Sequence, residues 1–288
     1  MPDDCHIDWV VLTRGDRPDA LTRAIASIVR QSNSSVVLVG NGVTDAGELA
    51  APSDDVDVVR SPENLGIPGG RDLGASRSSA TLVGFLDDDA ELHDAVASSV
   101  QRCFAERPQL GAVSLRLVDE GGTSATRHVP RPGGRAPERS GDVATFLGGA
   151  SVIRRTAYDE VGGYFTELFY GHEEVELSWR LIDAGWSIEY LADATVFHPR
   201  TEISRHAEGW RLTGRNRVLI ARRTLPWPVA IVHVLTWLAL GFIRAGDRRN
   251  RRAYLDGWRD GWTVSIHRRP IRWSTVWRLT RLGRPPVI

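Results

Sequence analysis

The sequence predicts an α/β fold with a mostly parallel central sheet, flanking helices and a basic helical region at its C-terminal end. Two observations lead to this prediction. Over residues 1–200, short apolar runs rich in β-branched residues alternate with segments of helical periodicity. After residue 200 this alternation stops, and Arg and Trp become frequent. Alternation of strand and helix is typical of βαβ units, whose strands lie parallel in one sheet.

The individual elements follow from periodicity and turn residues. Asp8–Leu12 and Thr81–Leu86, for example, are short and apolar, as expected of buried strands. The predicted strands are 8–12, 35–39, 56–59, 81–86, 144–153, 187–191 and 194–197. The predicted helices are 19–30, 69–78, 94–106 and 173–184. Residues 119–142 are rich in Gly, Pro and Arg, which predicts a mobile loop.

The formal net charge is zero, but charge is distributed unevenly along the chain. Residues 1–199 contain 17 Arg and 31 acidic residues, whereas residues 200–288 contain 19 Arg and 5 acidic residues. Such asymmetry suggests two tasks, so we predict one domain over residues 1–200 and a second region over residues 201–288. The basic region contains no recognised nucleic-acid motif, and nucleic acid is not a predicted partner.

The C-terminal region has the composition of a membrane-surface segment. Residues 225–243 carry no formal charge, and seven of the ten Trp lie beyond residue 200. The stretch after Pro228 has 15 residues, about 22 Å as a helix, whereas a bilayer core needs about 20 residues. Trp interleaved with Arg suits the headgroup zone, which predicts an interfacial or re-entrant segment on an anionic membrane surface. The alternative is a buried core helix with a solvated basic face.

The N-terminus and the cysteines indicate the compartment. Met1–His6 lacks the basic and apolar regions of a secretory signal. Cys5 and Cys103 show no metal-ligand spacing, and a disulfide framework is not expected. We therefore predict that the protein is not secreted and, together with the basic, Trp-rich tail, that it lies at the cytoplasmic face of the inner membrane.

Three consecutive carboxylates, Asp87-Asp88-Asp89, directly follow the predicted strand Thr81–Leu86. In open α/β sheets, ligands bind beyond the carboxyl ends of the strands. Adjacent carboxylates repel one another, and Mg²⁺ or Mn²⁺ is a natural counter-charge that also bridges to phosphates. The alternative is an acidic cap at a helix N-terminus.

Two further segments carry side chains suited to catalysis. Glu173, Glu174 and Glu176 open a predicted helix, where the backbone would fix the position of a general base. The alternative there is a well-capped helix with an ion pair between Glu176 and Arg180. His198 follows a short apolar strand; by itself it fits a core position, but beside a carboxylate triplet it becomes a candidate metal ligand through its neutral imidazole.

The order of these motifs resembles family 2 of the inverting glycosyltransferases, which have the A-type fold with a Rossmann-like nucleotide-binding half. The resemblance covers about residues 7–200 and rests on Val11–Arg14, Gly40-Asn41-Gly42, Asn64–Gly74, the Asp triplet, Gly148-Gly149-Ala150 and the Glu-rich helix. It implies transfer of a sugar from a nucleotide-diphosphate donor, UDP- or dTDP-linked, to an acceptor hydroxyl. Similar bacterial enzymes of rhamnosyl and galactofuranosyl type imply a lipid-linked or cell-envelope glycan as acceptor.

The resemblance also implies roles for individual residues. Glu174, paired with Glu173, matches the catalytic base, while Asp89 and His198 match metal ligands. The residues that would hold the nucleotide or its diphosphate are Thr13, Arg14, Asn41, Asn64, Arg71, Asp87, Asp88, Arg215 and Arg217. Two positions depart from the family pattern. Gly40 stands where an Asp often recognises a pyrimidine, and Glu174 stands where Asp is commoner.

Two other functions stay open at this stage. A nucleotidyltransferase acting on a sugar phosphate would also join an α/β sheet to acidic metal ligands, although the chain has no P-loop and no Lys. A non-catalytic sugar-binding protein would have no need of the Glu173-Glu174 pair.

Overall fold

The computed structural model describes residues 5–43, 55–200 and 208–287. Within these residues, nine strands form one sheet. The strands are β1 (Ile7–Thr13), β2 (Ser34–Asn41), β3 (Val56–Ser61), β4 (Leu82–Asp87), β5 (Glu91–Leu92), β6 (Leu110–Val118), β7 (Gly141–Asp142), β8 (Ala150–Arg154) and β9 (Ser187–Phe197). The α-helices are α1 (Pro18–Val29), α2 (Gly66–Arg77), α3 (Val96–Glu106), α4 (Arg155–Val161), α5 (Glu173–Ala184), α6 (Gly209–Thr224), α7 (Trp227–Arg244), α8 (Arg248–Thr263) and α9 (Trp273–Arg281).

The strands lie in the order β3-β2-β1-β4-β8-β6-β9-β5, with β7 beside β9. Strands β3, β2, β1 and β4 are parallel to one another, as are β6 and β9. Strand β8 runs antiparallel between β4 and β6, and β5 and β7 run antiparallel to β9. The predicted α/β fold with a mostly parallel central sheet is therefore confirmed.

Two hydrophobic cores cover the two faces of the sheet. Because side chains alternate along a strand, Trp9 and Val11 of β1 join one core while Val10 joins the other. The first core is completed by α1 and α3, through residues such as Leu21 and Phe104. Helices α2, α4, α5 and α6 contribute to the second core. Near-continuous apolar strands are the expected result of burial on both faces.

Several strand predictions differ from the structure. The sequence analysis missed β6, a buried run between helix α3 and the segment 119–142, and the two-residue strands β5 and β7. The strand predicted over residues 144–153 begins only at Ala150; before it, Leu147 forms an isolated bridge with Ala150 and donates its backbone N–H to the Ser114 hydroxyl. The strands predicted at 187–191 and 194–197 are one strand, β9, with a register shift opposite Leu115 and Arg116.

Segment 119–142 contains little regular structure, as its composition suggested. Only the 3₁₀ turns Thr126–His128 and Pro132–Gly134 and the two-residue strand β7 interrupt it. Its mobility stays a prediction.

Helix α6 belongs to the same core as the sheet. Val218, Leu219, Ile220 and Ala221 are fully buried and share a hydrophobic cluster with Leu177 of α5. The predicted boundary between residues 200 and 201 adjoins residues 201–207, which lie outside the described residues. The division at that boundary stays a prediction, but the helix that follows it shares a core with the preceding domain.

Helix α7 is long and apolar enough to cross a membrane, judged by length and composition alone, and 28% of its residues are buried. It has 18 residues because Pro228 lies within its first turn, where a missing backbone N–H is tolerated. The sequence analysis counted only the 15 residues after Pro228, and this number is therefore smaller than the length of the helix. Exposed apolar side chains follow one another along the helix at Trp227, Ile231, Leu235 and Ile243.

Replacing Leu219 by Ala should lower the free energy of unfolding by about 2–5 kcal/mol, because it leaves a cavity in the shared core. Leu235→Ala is the matched control, since Leu235 is 59% exposed and its loss should change stability by about 0.5 kcal/mol or less. Urea unfolding followed by circular dichroism measures both. Two separate transitions, with only one shifted by Leu219→Ala, would contradict the shared core.

Candidate active site

Polar residues gather where β1, β2 and β4 end side by side. The parallel register pairs Leu12 with Asp87 and Thr13 with Gly40, so the segments after these strands meet at one edge of the sheet. A cleft of about 700 Å³ opens there, a size suited to a small-molecule ligand. Seven residues singled out from the sequence line it: Arg14, Asn41, Asn64, Asp87, Asp88, Asp89 and His198.

The three Asp side chains of the triplet have different surroundings. Asp88 is buried, accepts a hydrogen bond of 2.8 Å from the Thr13 hydroxyl and pairs with Arg17 at 3.1 Å. Burial raises the pKa of Asp88 to about 6, although the Thr13 hydrogen bond and the Arg17 charge both lower it. Arg17 also donates to Asp89. Asp88 therefore anchors the triplet to β1, while Asp87 and Asp89 approach His198.

The ligand atoms of Asp87, Asp89 and His198 all lie within 4.8 Å of one another. His198 Nε2 lies 3.5 Å from Asp89 Oδ1 and 3.9 Å from Asp87 Oδ2. Ligands about 2.1 Å from a shared ion are at most about 4.2 Å apart, so the two His198 distances fit one Mg²⁺ or Mn²⁺. His198 Nδ1 lies 2.9 Å from the Pro199 carbonyl oxygen, and donation to it leaves the Nε2 lone pair toward the carboxylates.

A buried guanidinium joins the triplet to the Glu-rich helix. Arg71 of α2 donates to Asp87 at 3.1 Å and to Glu173 at 3.2 Å. Burial lowers the pKa of Arg71, but Tyr164 and the two carboxylates outweigh it and raise the pKa, so the side chain stays charged. The Arg71 guanidinium therefore lies between the Asp triplet and the Glu-rich helix and pairs with one carboxylate of each.

The bridge explains the Gly148-Gly149 pair. A Cβ at Gly148 would lie 2.5 Å from Arg71 Nη1, and one at Gly149 would lie 2.0 Å from Asp87 Oδ2. Contacts this short are not tolerated between non-bonded heavy atoms. Glycine is required here because the Arg71–Asp87 pair occupies the space that a side chain would need.

Glu173 and Glu174 open helix α5, as predicted. Glu173 is buried and held by Arg71. Burial raises the pKa of Glu174, and the neighbouring Glu173 carboxylate raises it further. Perturbed carboxylates of this kind cluster at functional sites. Glu174 does not line the cleft; it directly follows Glu173 in the chain.

The predicted nucleotide contacts fall into two groups. Arg14 and Asn64 line the cleft, whereas Thr13 is buried beneath it and supports Asp88. Asn41 donates to Asn64 Oδ1 and to the Gly66 carbonyl, both at 3.1 Å. The side-chain oxygen of Asn41, Oδ1, accepts a hydrogen bond of 2.7 Å from the Leu65 backbone N–H. Asn41 thus shapes the wall of the cleft by holding the start of α2, and its contact with a base stays a prediction.

Arg215 and Arg217 of α6 are not among the residues that line the cleft. Arg215 donates to the Glu167 carbonyl oxygen at 2.7 Å. The Arg217 guanidinium lies 3.4 Å above the Trp237 ring centre, and burial lowers the pKa of Arg217 to about 9. Since both guanidinium groups are engaged elsewhere, their positions do not support the predicted contact with a diphosphate.

Sequence reasoning missed several cleft residues, among them Arg17, Arg127, His128, Phe169 and Tyr170. Arg17 could have been found, because it follows β1, whose end was expected beside the triplet. Arg127 and His128 come from segment 119–142, where no local pattern indicates which part of the fold the loop approaches. The His128 ring lies 5.8 Å from that of His198. Two residues separate Phe169 and Tyr170 from the Glu-rich helix, and the presence of two consecutive aromatic residues was the available signal.

Comparison with known proteins agrees with this arrangement. The family described as Glycosyl transferase family 2 matches residues 9–162, more than half of the chain. This chain belongs to that family. The predicted membership is confirmed, and the match includes β1, the Asp triplet and the Gly148-Gly149 pair.

Two relatives come from Mycobacterium tuberculosis. Pre-mycofactocin glycosyltransferase is 26% identical over 207 residues, which are 67% of this chain and 43% of that protein. N-acetylglucosaminyl-diphospho-decaprenol L-rhamnosyltransferase is 28% identical over 124 residues, 39% of each protein. The chain thus spans less than half the length of these curated relatives.

The crystal structure of GalNAc-T7 with UDP, GalNAc and Mn²⁺ has the same fold. Its TM-score to this family 2 glycosyltransferase is 0.64 at 15% sequence identity, covering 89% of this chain and 55% of that one. The A-type fold predicted from the sequence motifs is therefore confirmed.

Replacing Gly149 by Ala should weaken Mn²⁺ binding by about 10–100-fold, because the new Cβ displaces the Asp87 carboxylate from its place beside Arg71. Isothermal titration with MnCl₂ measures the affinity. Gly121→Ala is the control, since a Cβ there makes only an ordinary contact of 3.4 Å with Asp119. Equal Mn²⁺ affinities in both variants and the parent protein would contradict the assignment of Asp87 to the metal site.

Proposed function

We propose that this protein is a metal-dependent, inverting glycosyltransferase that moves a sugar from a nucleotide-diphosphate donor to an acceptor hydroxyl. One observation carries the proposal. Asp87, Asp89 and His198 form a group that fits a divalent cation, and Arg71 connects Asp87 of this group to the buried Glu173, whose neighbour Glu174 has a raised pKa. The cleft thus has one acidic group suited to a cation, and a second acidic group, suited to accepting a proton, is joined to the cleft through Arg71.

Asp87, Asp89 and His198 would hold Mg²⁺ or Mn²⁺, which supplies Lewis-acid neutralisation of the diphosphate. The chain's own cations support the same task. Arg14 and Arg17 line the cleft, and an Arg side chain gives charge-assisted hydrogen bonds to phosphate oxygens. The Mn²⁺ and UDP of GalNAc-T7 support the type of metal and a UDP- or dTDP-linked donor.

Glu174 would act as the general base. It accepts the proton of the acceptor hydroxyl while the acceptor oxygen forms a bond to the anomeric carbon. The bond from that carbon to the diphosphate breaks, and the nucleoside diphosphate leaves with the electron pair. Attack from the face opposite the leaving group inverts the configuration. The raised pKa of Glu174 makes its carboxylate a stronger base than that of an exposed glutamate.

A nucleotidyltransferase or a non-catalytic sugar-binding protein would use the metal group without the acidic pair. Placing the half-buried Glu174 next to the buried Glu173 is electrostatically unfavourable without a compensating role. This cost favours glycosyl transfer over both alternatives.

Glu174→Gln should lower the rate of sugar transfer by about 100-fold or more, because the amide cannot accept the hydroxyl proton. Binding of the donor with Mn²⁺ should stay within about twofold, since Glu174 does not line the cleft. A panel of UDP-, dTDP- and GDP-sugars, scored by metal-dependent thermal shift and by release of nucleoside diphosphate, measures both properties. Glu106→Gln on the exposed side of α3 is the control.

The products separate the three functions. Release of nucleoside diphosphate supports glycosyl transfer, whereas release of pyrophosphate supports a nucleotidyltransferase. Binding of a nucleotide sugar without turnover by the parent protein, with every acceptor, supports a sugar-binding protein. Equal transfer rates in Glu174→Gln and the parent would remove Glu174 from the role of base.

The acceptor is proposed to be a lipid-linked or cell-envelope glycan, used at the cytoplasmic face of the inner membrane. The rhamnosyltransferase relative is named for a decaprenol-linked sugar, N-acetylglucosaminyl-diphospho-decaprenol, which supports a lipid-linked acceptor. Exposed apolar residues of α7 and the exposed Trp273 and Trp277 of α9 support docking on a membrane. Arg268 lies over the Trp227 ring at 4.0 Å, which places a cation beside the apolar surface.

The double variant Ile231→Ser/Leu235→Ser should bind phosphatidylglycerol vesicles at least about 100-fold more weakly. Each removed side chain contributes about 1.5–3 kcal/mol to burial in the interface. Vesicle flotation measures the partition coefficient. Val29→Ser, on the exposed surface of α1, is the control. Unchanged flotation of the double variant would remove α7 from the membrane contact.

A further inference from the structure

The segment Glu167–Gly171 links the cleft to the acidic pair and has an unusual backbone. Phe169 has a φ of 58° and His172 a φ of 72°, both in a region that non-glycine residues rarely adopt. Such conformations cost about 1–3 kcal/mol each and persist only where the surroundings hold them. Phe169 and Tyr170 line the cleft, and His172 precedes Glu173 and Glu174.

All five backbone carbonyls of this segment have identifiable partners outside it. Arg215 donates to the Glu167 carbonyl at 2.7 Å. Asn216 Nδ2 lies 2.8, 2.8 and 2.9 Å from the carbonyl oxygens of Leu168, Tyr170 and Gly171. The remaining carbonyl, that of Phe169, accepts from the Ile67 N–H of α2 at 2.7 Å. Two consecutive residues of α6 therefore satisfy four of the five carbonyls.

The orientation of the Asn216 amide is determined by these partners. The Arg215 guanidinium donates to Asn216 Oδ1 at 3.3 Å, whereas Nδ2 faces only carbonyl oxygens. The reverse orientation would place an oxygen against three acceptors and an NH₂ group against a cation. One NH₂ group has two hydrogens, so three carbonyls share two N–H bonds. Asn216 is fully buried, so water does not compete with it.

On its opposite side, the segment packs so closely on α2 that there is no space for a side chain at Gly66. A Cβ at Gly66 would lie 2.2 Å from the Phe169 carbonyl oxygen, and Gly66 has a φ of 73°. The segment is thus held between α2 on one side and α6 on the other. Its freedom to move is limited by hydrogen bonds from both.

We propose that Arg215 and Asn216 are positioning residues that hold segment Glu167–Gly171 in the shape required for donor binding and for the placement of Glu174. The inference rests on the proposed glycosyl transfer. It gives Arg215 a role different from contact with a diphosphate. It also makes the basic C-terminal region a part of the active site, in addition to any contact that it makes with a membrane.

Hydrogen–deuterium exchange tests the positioning without any substrate. Asn216→Ala should raise the exchange rate of the amides in residues 167–172 by at least about tenfold, because the carbonyls lose their partners and the segment opens locally. Arg215→Ala, a change at a partly exposed residue, should raise it less and mainly near Glu167. Tyr254→Phe is the matched control. This substitution removes the hydrogen bond from the Tyr254 hydroxyl to the Trp237 carbonyl oxygen, which joins α8 to α7. It should leave the exchange rates of the amides in residues 167–172 unchanged.

Kinetics measured well below the unfolding temperature then tests the consequence. Asn216→Ala should raise KM for the donor and lower kcat, by a combined factor of about 100, whereas Tyr254→Phe should change neither by more than about twofold. Unchanged exchange of residues 167–172 in both Arg215→Ala and Asn216→Ala would overturn the positioning role. Loss of nucleotide affinity in Arg215→Ala with unchanged exchange would instead indicate direct contact with phosphate.

The two proposals fail in different ways. If the parent protein transfers no sugar, the proposed function fails, and the exchange experiment still decides whether α6 holds the segment. If Asn216→Ala cannot be purified as a folded protein, the exchange and kinetic measurements on Arg215→Ala alone decide whether α6 holds the segment.

Discussion

The buried Arg71 guanidinium is the interaction on which the arrangement of the site depends. It lies between Asp87, at the end of β4, and Glu173, at the start of α5, and it is 5% exposed. Removing one partner of a buried ion pair typically costs about 3–5 kcal/mol, because it leaves an unpaired charge away from water. The three side chains are therefore interdependent. The glycines at 148 and 149 follow from the same bridge, since they leave the space that it occupies.

The Arg71 bridge also reduces the repulsion between the carboxylates that surround it. The Asp triplet lines the cleft and the Glu pair is joined to it through Arg71, and neighbouring like charges raise one another's pKa. Arg71 separates the two sets, while Arg17 pairs with Asp88 and Asp89. The two sets of carboxylates therefore differ in their surroundings. Asp87 and Asp89 lie close to His198 with the geometry of a cation site, whereas the Glu pair includes Glu174, a carboxyl group of raised pKa.

Helix α6 connects this site to the basic C-terminal region in two ways. Its apolar residues complete the core beneath α5, and its Arg215-Asn216 pair holds the backbone that carries Phe169 and Tyr170 into the cleft. Helix α7, which follows directly, leaves an apolar surface exposed. The predicted division of the chain after residue 200 stays a prediction, although α6 shares a core with the preceding elements. The exposed apolar surface of α7 directly follows a helix that also contacts the segment carrying Phe169 and Tyr170.

The sequence by itself determined the α/β class, the positions of β1–β4 and of α1, α2, α3 and α5, and the cleft placement of Asp87, Asp89 and His198. These follow from local patterns: period-2 and helical spacing, and polar residues directly after apolar strands. The family was identified from the order of several motifs that resemble it. Only the tertiary structure decided that Arg71 joins Asp87 to Glu173, that Arg17 braces the triplet and that Arg215 faces a carbonyl. Each of these contacts joins residues far apart in the chain, and an Arg side chain can reach a phosphate, a carboxylate or a carbonyl equally well. Which one it meets depends on how the elements pack, and no local pattern records that.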